Sequence, residues 1–234
     1  MKTGMLVTGG MDSTALLYEA VELKFNVCPI TVNYGHSAFA KQEELVQWHI
    51  KELKKRGHKI QPLKVIDITF HGFQRYSSAL FDTNYKCSEK DPLNEWDQIR
   101  YEKSLVEGRN AIMVLYAIGF CASLELDELW AGYLYSKDEW KKRLTVKLLT
   151  GDNSPQFVDA MNTLSLMGFS HPVRFRAPFY EYKLSKDDVY EIGKEYEIDY
   201  SKTHSCYFPI PCHKCDNCLL RDAILNEDGS EKIL

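Results

Sequence analysis

The chain has 234 residues, of which 44% are hydrophobic and 26% charged, the balance of an ordinary globular protein, which excludes disordered and collagen-like chains. Lys and Arg number 29 against 33 Asp and Glu, a formal net charge of −4, so no bulk basic field draws in nucleic acid and no direct nucleic-acid partner is expected. The length suits one large core with a small appendage, read as a main domain at residues 1–200 and a C-terminal metal-binding segment at 201–234 packed on it.

Met5-Leu-Val7 is a short apolar run stopped by Thr8-Gly9-Gly10. Ser13–Leu23 then places Ala15, Leu16, Leu17, Ala20, Val21 and Leu23 at helical spacing, giving strand, tight loop and helix. Val27–Val32 is rich in β-branched residues, holds Pro29, and ends in the turn chemistry of Asn33-Tyr34-Gly35, so it predicts a second strand. Glu43–Lys55 mixes Leu45, Val46, Trp48, His49 and Leu53 with charges, as an amphipathic helix does, and Gly57 stops it. Leu63–Ile68 predicts strand three. Phe70–Tyr101 has no clear period and reads as a long loop or short helices, the kind of insertion that covers a site. Asn110–Leu126 predicts a helix, Glu128–Gly132 a short strand and Gly151–Met167 another helix. Ser185-Lys-Asp-Asp188 is a capping box opening a helix that runs to about Tyr196. Strands alternating with helices of ten or more residues imply right-handed crossovers and a parallel sheet, so the predicted class is α/β.

The first ten residues meet glycines before any long apolar run, which fits neither a secretory signal nor a transit peptide and predicts a cytoplasmic protein. Ala111–Leu126, the most apolar segment, falls short of the roughly 18 uncharged apolar residues of a membrane span, so no membrane partner is expected.

Two segments carry chemistry. In Thr8-Gly-Gly-Met-Asp-Ser-Thr14, glycines between a strand and a helix let the backbone turn and present several N–H groups beside a helix N-terminus, which makes an anion site. A merely connecting turn would hold the same two glycines; it has no use for Asp12 and the hydroxyls. An acid inside an anion cradle is unfavourable unless a divalent cation lies between it and the phosphate, so Asp12 points to nucleotide bound with Mg²⁺. Neither the Gly-Lys-Ser/Thr of a Walker loop nor a G-x-G-x-x-G is present. The second segment is Cys206-x5-Cys212-x2-Cys215-x2-Cys218, four of the seven cysteines. Four thiolates suit tetrahedral zinc and leave no open coordination position, which makes the metal structural. An iron–sulfur cluster also takes four cysteines at such intervals, and zinc is the preferred reading. Lys214 and Arg221 lie close by, where an anionic tetrathiolate would favour them.

The phosphate loop resembles the S-G-G-x-D-S loop of the N-type ATP pyrophosphatases, with Thr8 where that superfamily usually has Ser. Together with the cysteines it resembles the QueC family of 7-cyano-7-deazaguanine synthases, whose C-terminus carries Cys-Gly-x-Cys-x-x-Cys-x-x-Arg. Here that stretch reads Cys212-His-Lys-Cys-Asp-Asn-Cys-Leu-Leu-Arg221. Tyr34-Gly35-His36, Gly108-Arg109-Asn110, Trp130-Ala-Gly132, Ala177-Pro178 and Ser185-Lys186 extend the resemblance over almost the whole chain. It implies a Rossmann-like sheet of the adenine nucleotide alpha hydrolase type. It also implies ATP-dependent activation of a small carboxylate, 7-carboxy-7-deazaguanine, through an acyl adenylate that ammonia opens to an amide, with a second activation giving the nitrile. By resemblance Val7, Thr8, Gly9, Gly10, Met11, Asp12, Ser13 and Thr14 hold phosphate and metal, Arg109 and Asn110 face nucleotide or substrate, and Lys186 neutralises phosphate charge. Tyr34, Gly132, Asp138 and Arg143 are substrate candidates, and a homodimer is implied by analogy. One stretch departs from the family: where its members continue toward Asp-Tyr-x-x-Tyr-Pro-Asp-Cys-Arg, this chain has Tyr133-Leu-Tyr-Ser-Lys-Asp-Glu-Trp-Lys-Lys-Arg143. Asp138 and Arg143 either replace the lost pair or belong to a solvated charged helix. The departure motivates an alternative acceptor, an amine on a protein, as in QueC-like proteins of bacterial antiviral systems. A third reading, a tRNA-modifying enzyme of the same superfamily, finds only Lys141, Lys142, Arg143 and Lys147 as a basic patch.

Overall fold

A computed structural model describes residues 2–69, 79–81, 106, 108–135, 154–213, 215, 217–218 and 221–222. Five parallel strands, β1 (Lys2–Leu6), β2 (Asn26–Asn33), β3 (Lys64–Asp67), β4 (Glu128–Trp130) and β5 (Arg174–Arg176), form one sheet in the order β3-β2-β1-β4-β5. The helices are α1 (Met11–Glu22), α2 (Phe39–Lys55), α3 (Arg109–Ser123), α4 (Pro155–Gly168), α5 (Pro178–Glu181) and α6 (Lys186–Glu195).

Alternation along the strands divides the core. Met5, Val7, Val27 and Trp130 pack with α1, α2 and α6 on one face, whereas Leu6, Cys28, Ile30, Val32, Leu129 and Phe175 pack with α3 and α4 on the other. Both faces are therefore covered, as a parallel sheet requires, and the strands read as near-continuous apolar runs. Pro29 is compatible with a central strand for a local reason. The Val7 N–H donates to the Ile30 carbonyl at 2.8 Å, so Ile30 faces β1 and Pro29 faces β3. The β2–β3 ladder begins only at Ile30↔Lys64, where the missing N–H is not needed.

The order reverses on either side of β1, and in such sheets ligands bind outside the strand C-termini at that switch point. The Thr8–Thr14 loop follows β1, and Ala131-Gly132 follows β4, so both lie there. Behind them α6 packs on α1, and Tyr200 seals the joint. Its hydroxyl donates to the Val189 carbonyl at 2.5 Å, and its ring occupies the space a side chain at Gly193 would need. The predicted strands and long helices are all present. The structure adds β5 and α5, starts β1 at Lys2 and α2 at Phe39, and ends β4 at Trp130 rather than Gly132. Phe70–Tyr101, apart from a single 3-10 turn at Ala79–Phe81, lies outside the described residues.

Candidate active site

The loop from Val7 to Thr14 is built by two glycines with different duties. Gly9 has φ +73°, and a Cβ there would meet the Gln42 carbonyl oxygen of α2 at 2.8 Å, so both its backbone conformation and the closeness of α2 demand glycine. Gly10 is the N-cap of α1 and leaves the first-turn N–H groups open, since no side chain caps them. Ser13 fastens the turn: its Oγ accepts from the Thr8 N–H at 3.1 Å, donates to the Gly10 carbonyl at 3.2 Å and lies 3.2 Å from Thr8 Oγ1. The result is a rigid cradle at a helix N-terminus, a place where anions bind well.

Asp12 stands in the first turn of α1 and Lys186 at the first position of α6, where a cation opposes the helix dipole. The two side chains form an ion pair across 174 residues of sequence. Lys186 is aimed by the capping box behind it, in which Ser185 takes the Asp188 backbone N–H and its own N–H donates to Asp188 Oδ2 at 2.6 Å. Gly132 meets the same turn from β4. A Cβ there would come within 3.1 Å of the Asp12 backbone, so the residue is small to let the strand end pack against the cradle.

A second wall follows β2. Tyr34 is buried and stacked on His36 with ring centroids 4.0 Å apart, and His36 Nε2 donates to Gln42 Oε1 at 2.9 Å. Arg109, just after the left-handed Gly108, lies 5.8 Å over the Tyr34 ring and bonds its hydroxyl; its Nε donates to Asn110 Oδ1 at 3.3 Å. Burial pushes the Tyr34 hydroxyl up, opposed by Arg109. Burial holds His36 down to about 4, against the Gln42 bond, so its ring is neutral. Arg109 is thus built into the wall that Tyr34 and His36 form. Asp138 and Arg143, like Lys141, Lys142, Lys147 and Lys214, lie outside the described residues.

Cys206, Cys212, Cys215 and Cys218 bring their sulfurs within 4.8 Å of one another, with Cys212 and Cys218 at 3.9 Å. Tetrahedral zinc with bonds near 2.3 Å spaces its sulfurs by about 3.8 Å, so the cluster fits one ion more closely than a cubane, whose irons spread the ligands. Backbone N–H groups of Phe208, Cys215 and Cys218 donate to sulfurs of Cys206, Cys212 and Cys215 at 3.5, 3.3 and 3.4 Å, the support a thiolate set needs. Hydrogen bonds from its three neighbours push the Cys215 thiol far up, those to Cys206 and Cys212 raise Cys218, and Cys206 is lowered, so the four sulfurs share their protons unequally. Arg221 lies beside the cluster, hydrogen-bonding the Tyr200 and Ser201 carbonyls at 3.4 and 3.5 Å.

The family model described as queuosine biosynthesis protein QueC matches residues 2–229. The chain belongs to the QueC family. A 7-cyano-7-deazaguanine synthase of Pyrococcus abyssi is 30% identical over 97% of this chain and 93% of its own length. Synthases of the same name from Methanococcus maripaludis and Methanocaldococcus jannaschii are 27% and 28% identical, covering 98% and 94% of this chain and 96% and 93% of theirs. No helix among the described residues of this QueC-family chain is long and apolar enough to cross a membrane.

The structure thus brings Thr8–Thr14, Lys186 and Gly132 into one cradle and sets Tyr34 and Arg109 beside it. Two residues escaped the sequence reading. Gln42 supplies the backbone that forbids a side chain at Gly9, and the His204 N–H donates to the Gly9 carbonyl at 2.7 Å. Their one sequence signal is position, Gln42 on the helix after the Tyr-Gly-His turn and His204 two residues before the first clustered cysteine.

Proposed function

We propose that the protein is an ATP-dependent ligase that activates 7-carboxy-7-deazaguanine and converts it with ammonia to 7-cyano-7-deazaguanine, in the queuosine pathway. The observation that carries this reading is the Asp12–Lys186 pair at the mouth of a glycine cradle, in a chain whose full-length relatives are named for that product. Without nucleotide the two charges neutralise each other. When polyphosphate enters, Lys186 turns to its oxygens, and Asp12 is left to hold Mg²⁺, which would screen the leaving pyrophosphate. A carboxylate oxygen attacks the α-phosphorus, the bond to pyrophosphate breaks, and an acyl adenylate forms. Ammonia adds to its carbonyl carbon, loses a proton, and AMP leaves. A second round places AMP on the amide oxygen, whose departure with loss of two protons leaves the nitrile. The N–H groups of the loop supply fixed dipoles where charge builds on phosphate, and the neutral His36–Tyr34 wall adds no competing charge. The cysteine cluster holds zinc, which with four protein ligands shapes the fold and takes no part in the chemistry.

The test incubates the protein with Mg-ATP, 7-carboxy-7-deazaguanine and ammonium, and follows AMP and the deazaguanine product by mass spectrometry. AMP with nitrile is expected; no AMP overturns the carboxylate. The changed stretch Tyr133–Arg143 favours a second acceptor, a protein amine. AMP without nitrile, together with a mass increase on a partner polypeptide, would select it.

A further inference from the structure

The loop's geometry is anchored from outside the loop. The Gly9 carbonyl belongs to the peptide whose nitrogen is that of Gly10, and in a planar trans peptide the N–H points opposite to the C=O. The backbone N–H of His204 donates to that carbonyl at 2.7 Å. Holding the carbonyl toward His204 therefore turns the Gly10 N–H away from it, at the helix start where the cradle opens. Gly9, with φ +73°, has no side chain to restrict this peptide, so an external hydrogen bond decides its direction.

His204 is itself fixed by the cysteine segment. Its ring is buried, and Nε2 donates to the Phe208 carbonyl at 2.6 Å, while the Phe208 N–H donates to Cys206 Sγ at 3.5 Å. On the other side His49 Nε2 donates to the Lys202 carbonyl at 3.0 Å, and the Thr203 hydroxyl donates to the Tyr200 backbone carbonyl at 2.7 Å. The stretch from Lys202 to Cys206 is thus held at both ends, and three hydrogen bonds run from the phosphate loop to a metal-ligating sulfur.

We propose that His204 is a positioning residue for the phosphate loop, its ring tying the backbone N–H that holds the Gly9 carbonyl to the cysteine cluster, so that the cluster forms a wall of the polyphosphate site. The assignment rests on the reading of Thr8–Thr14 as an ATP site. A merely structural His204 would support folding and metal retention; a positioning one changes the loop while both persist.

Three variants separate these. His204→Leu keeps bulk without the Nε2 donor, His204→Asn is too short to reach Phe208, and His204→Gln restores a donor near the Nε2 position. Each is assayed for zinc content, for amide hydrogen exchange over residues 7–14, and for Mg-ATP affinity by calorimetry without carboxylate. The Leu and Asn variants are expected to keep wild-type zinc, to exchange faster over 7–14, and to bind Mg-ATP about fivefold to tenfold more weakly, the scale of one hydrogen bond. His204→Gln should recover most of the affinity. Wild-type exchange and affinity in the Leu and Asn variants would overturn the proposal, as would a loss that tracks zinc content and that Gln does not rescue. If the wild-type protein bound no Mg-ATP, the ATP reading would fail, yet faster exchange over 7–14 in zinc-replete His204→Leu would still support the anchor.

Discussion

At Gly9 the constraint is doubled, because a side chain there must both adopt a left-handed backbone and displace the Gln42 backbone, which has no rotamer with which to yield. Gly9→Ala is expected to cost about 1–2 kcal/mol from the backbone conformation alone. It should also move the loop away from α2, read as a lower Tm together with a loss of Mg-ATP binding that exceeds the stability loss. Asp12 behaves differently, since its side chain is one-third exposed and is paired with Lys186. Asp12→Asn should leave Tm within a few degrees and abolish pyrophosphate release, and unchanged release would refute its role as the metal ligand. The strand, glycine turn and helix N-terminus that carry Asp12 were legible in the sequence, from glycines that follow a short apolar run. The pairing of Asp12 with Lys186 was not, because 174 residues separate them and only the packing of α6 on α1 brings them together.

The elements follow a similar division. Helices α1, α2 and α3 and strand β2 were readable because each is long enough to show a period. β5 was not, since Arg-Phe-Arg offers one buried position between two charged ones, and three residues carry no recognisable alternation. What makes β5 a strand is its neighbour, as Leu129↔Phe175 places the Phe ring in the core beside α4. The cysteine segment is the opposite case: its spacing announces its chemistry, yet from Thr203 to Cys212 it forms no helix or strand. Among the described residues it is held by the bonds that tie residues 200–206 to α2 and the Thr8–Thr14 loop, and the proposed zinc would add to them. Cys215→Ser removes one of four ligands, and binding energy at a structural zinc is folding energy. The variant should lose zinc and melt at lower temperature, and a chelator should lower the wild-type Tm in the same direction. A Tm unchanged by both would show that the cluster closes without metal.

At the scale of the molecule, two neutral histidines lie inside joints between elements that sequence keeps apart. His49 on α2 takes the Tyr18 hydroxyl of α1 at 3.1 Å and gives Nε2 to Lys202, tying three segments together; His36 joins the β2 turn to α2. Burial is the main reason that each is held down to about 4 from an ordinary 6.5, with the Lys202 carbonyl and Gln42 opposing it. The unfolded chain therefore binds protons that the folded chain refuses. Stability from these sites is complete above about pH 6.5 and falls as pH drops toward 4, below which the folded rings protonate too and the slope from them ends. For His49 alone the loss across that window is about 3 kcal/mol. Denaturant melts from pH 7.5 to 4 should show this decline, and His49→Gln, which keeps a donor for Lys202 but cannot titrate, should start less stable and decline less steeply. A slope identical to that of the wild type would place the acid sensitivity elsewhere. The same acid window should loosen the wall beside the cradle, because a proton forced onto His36 puts a buried charge near the Arg109 guanidinium, which the Gln42 bond offsets only in part. The cradle then depends on the same burial of neutral rings that holds the molecule together.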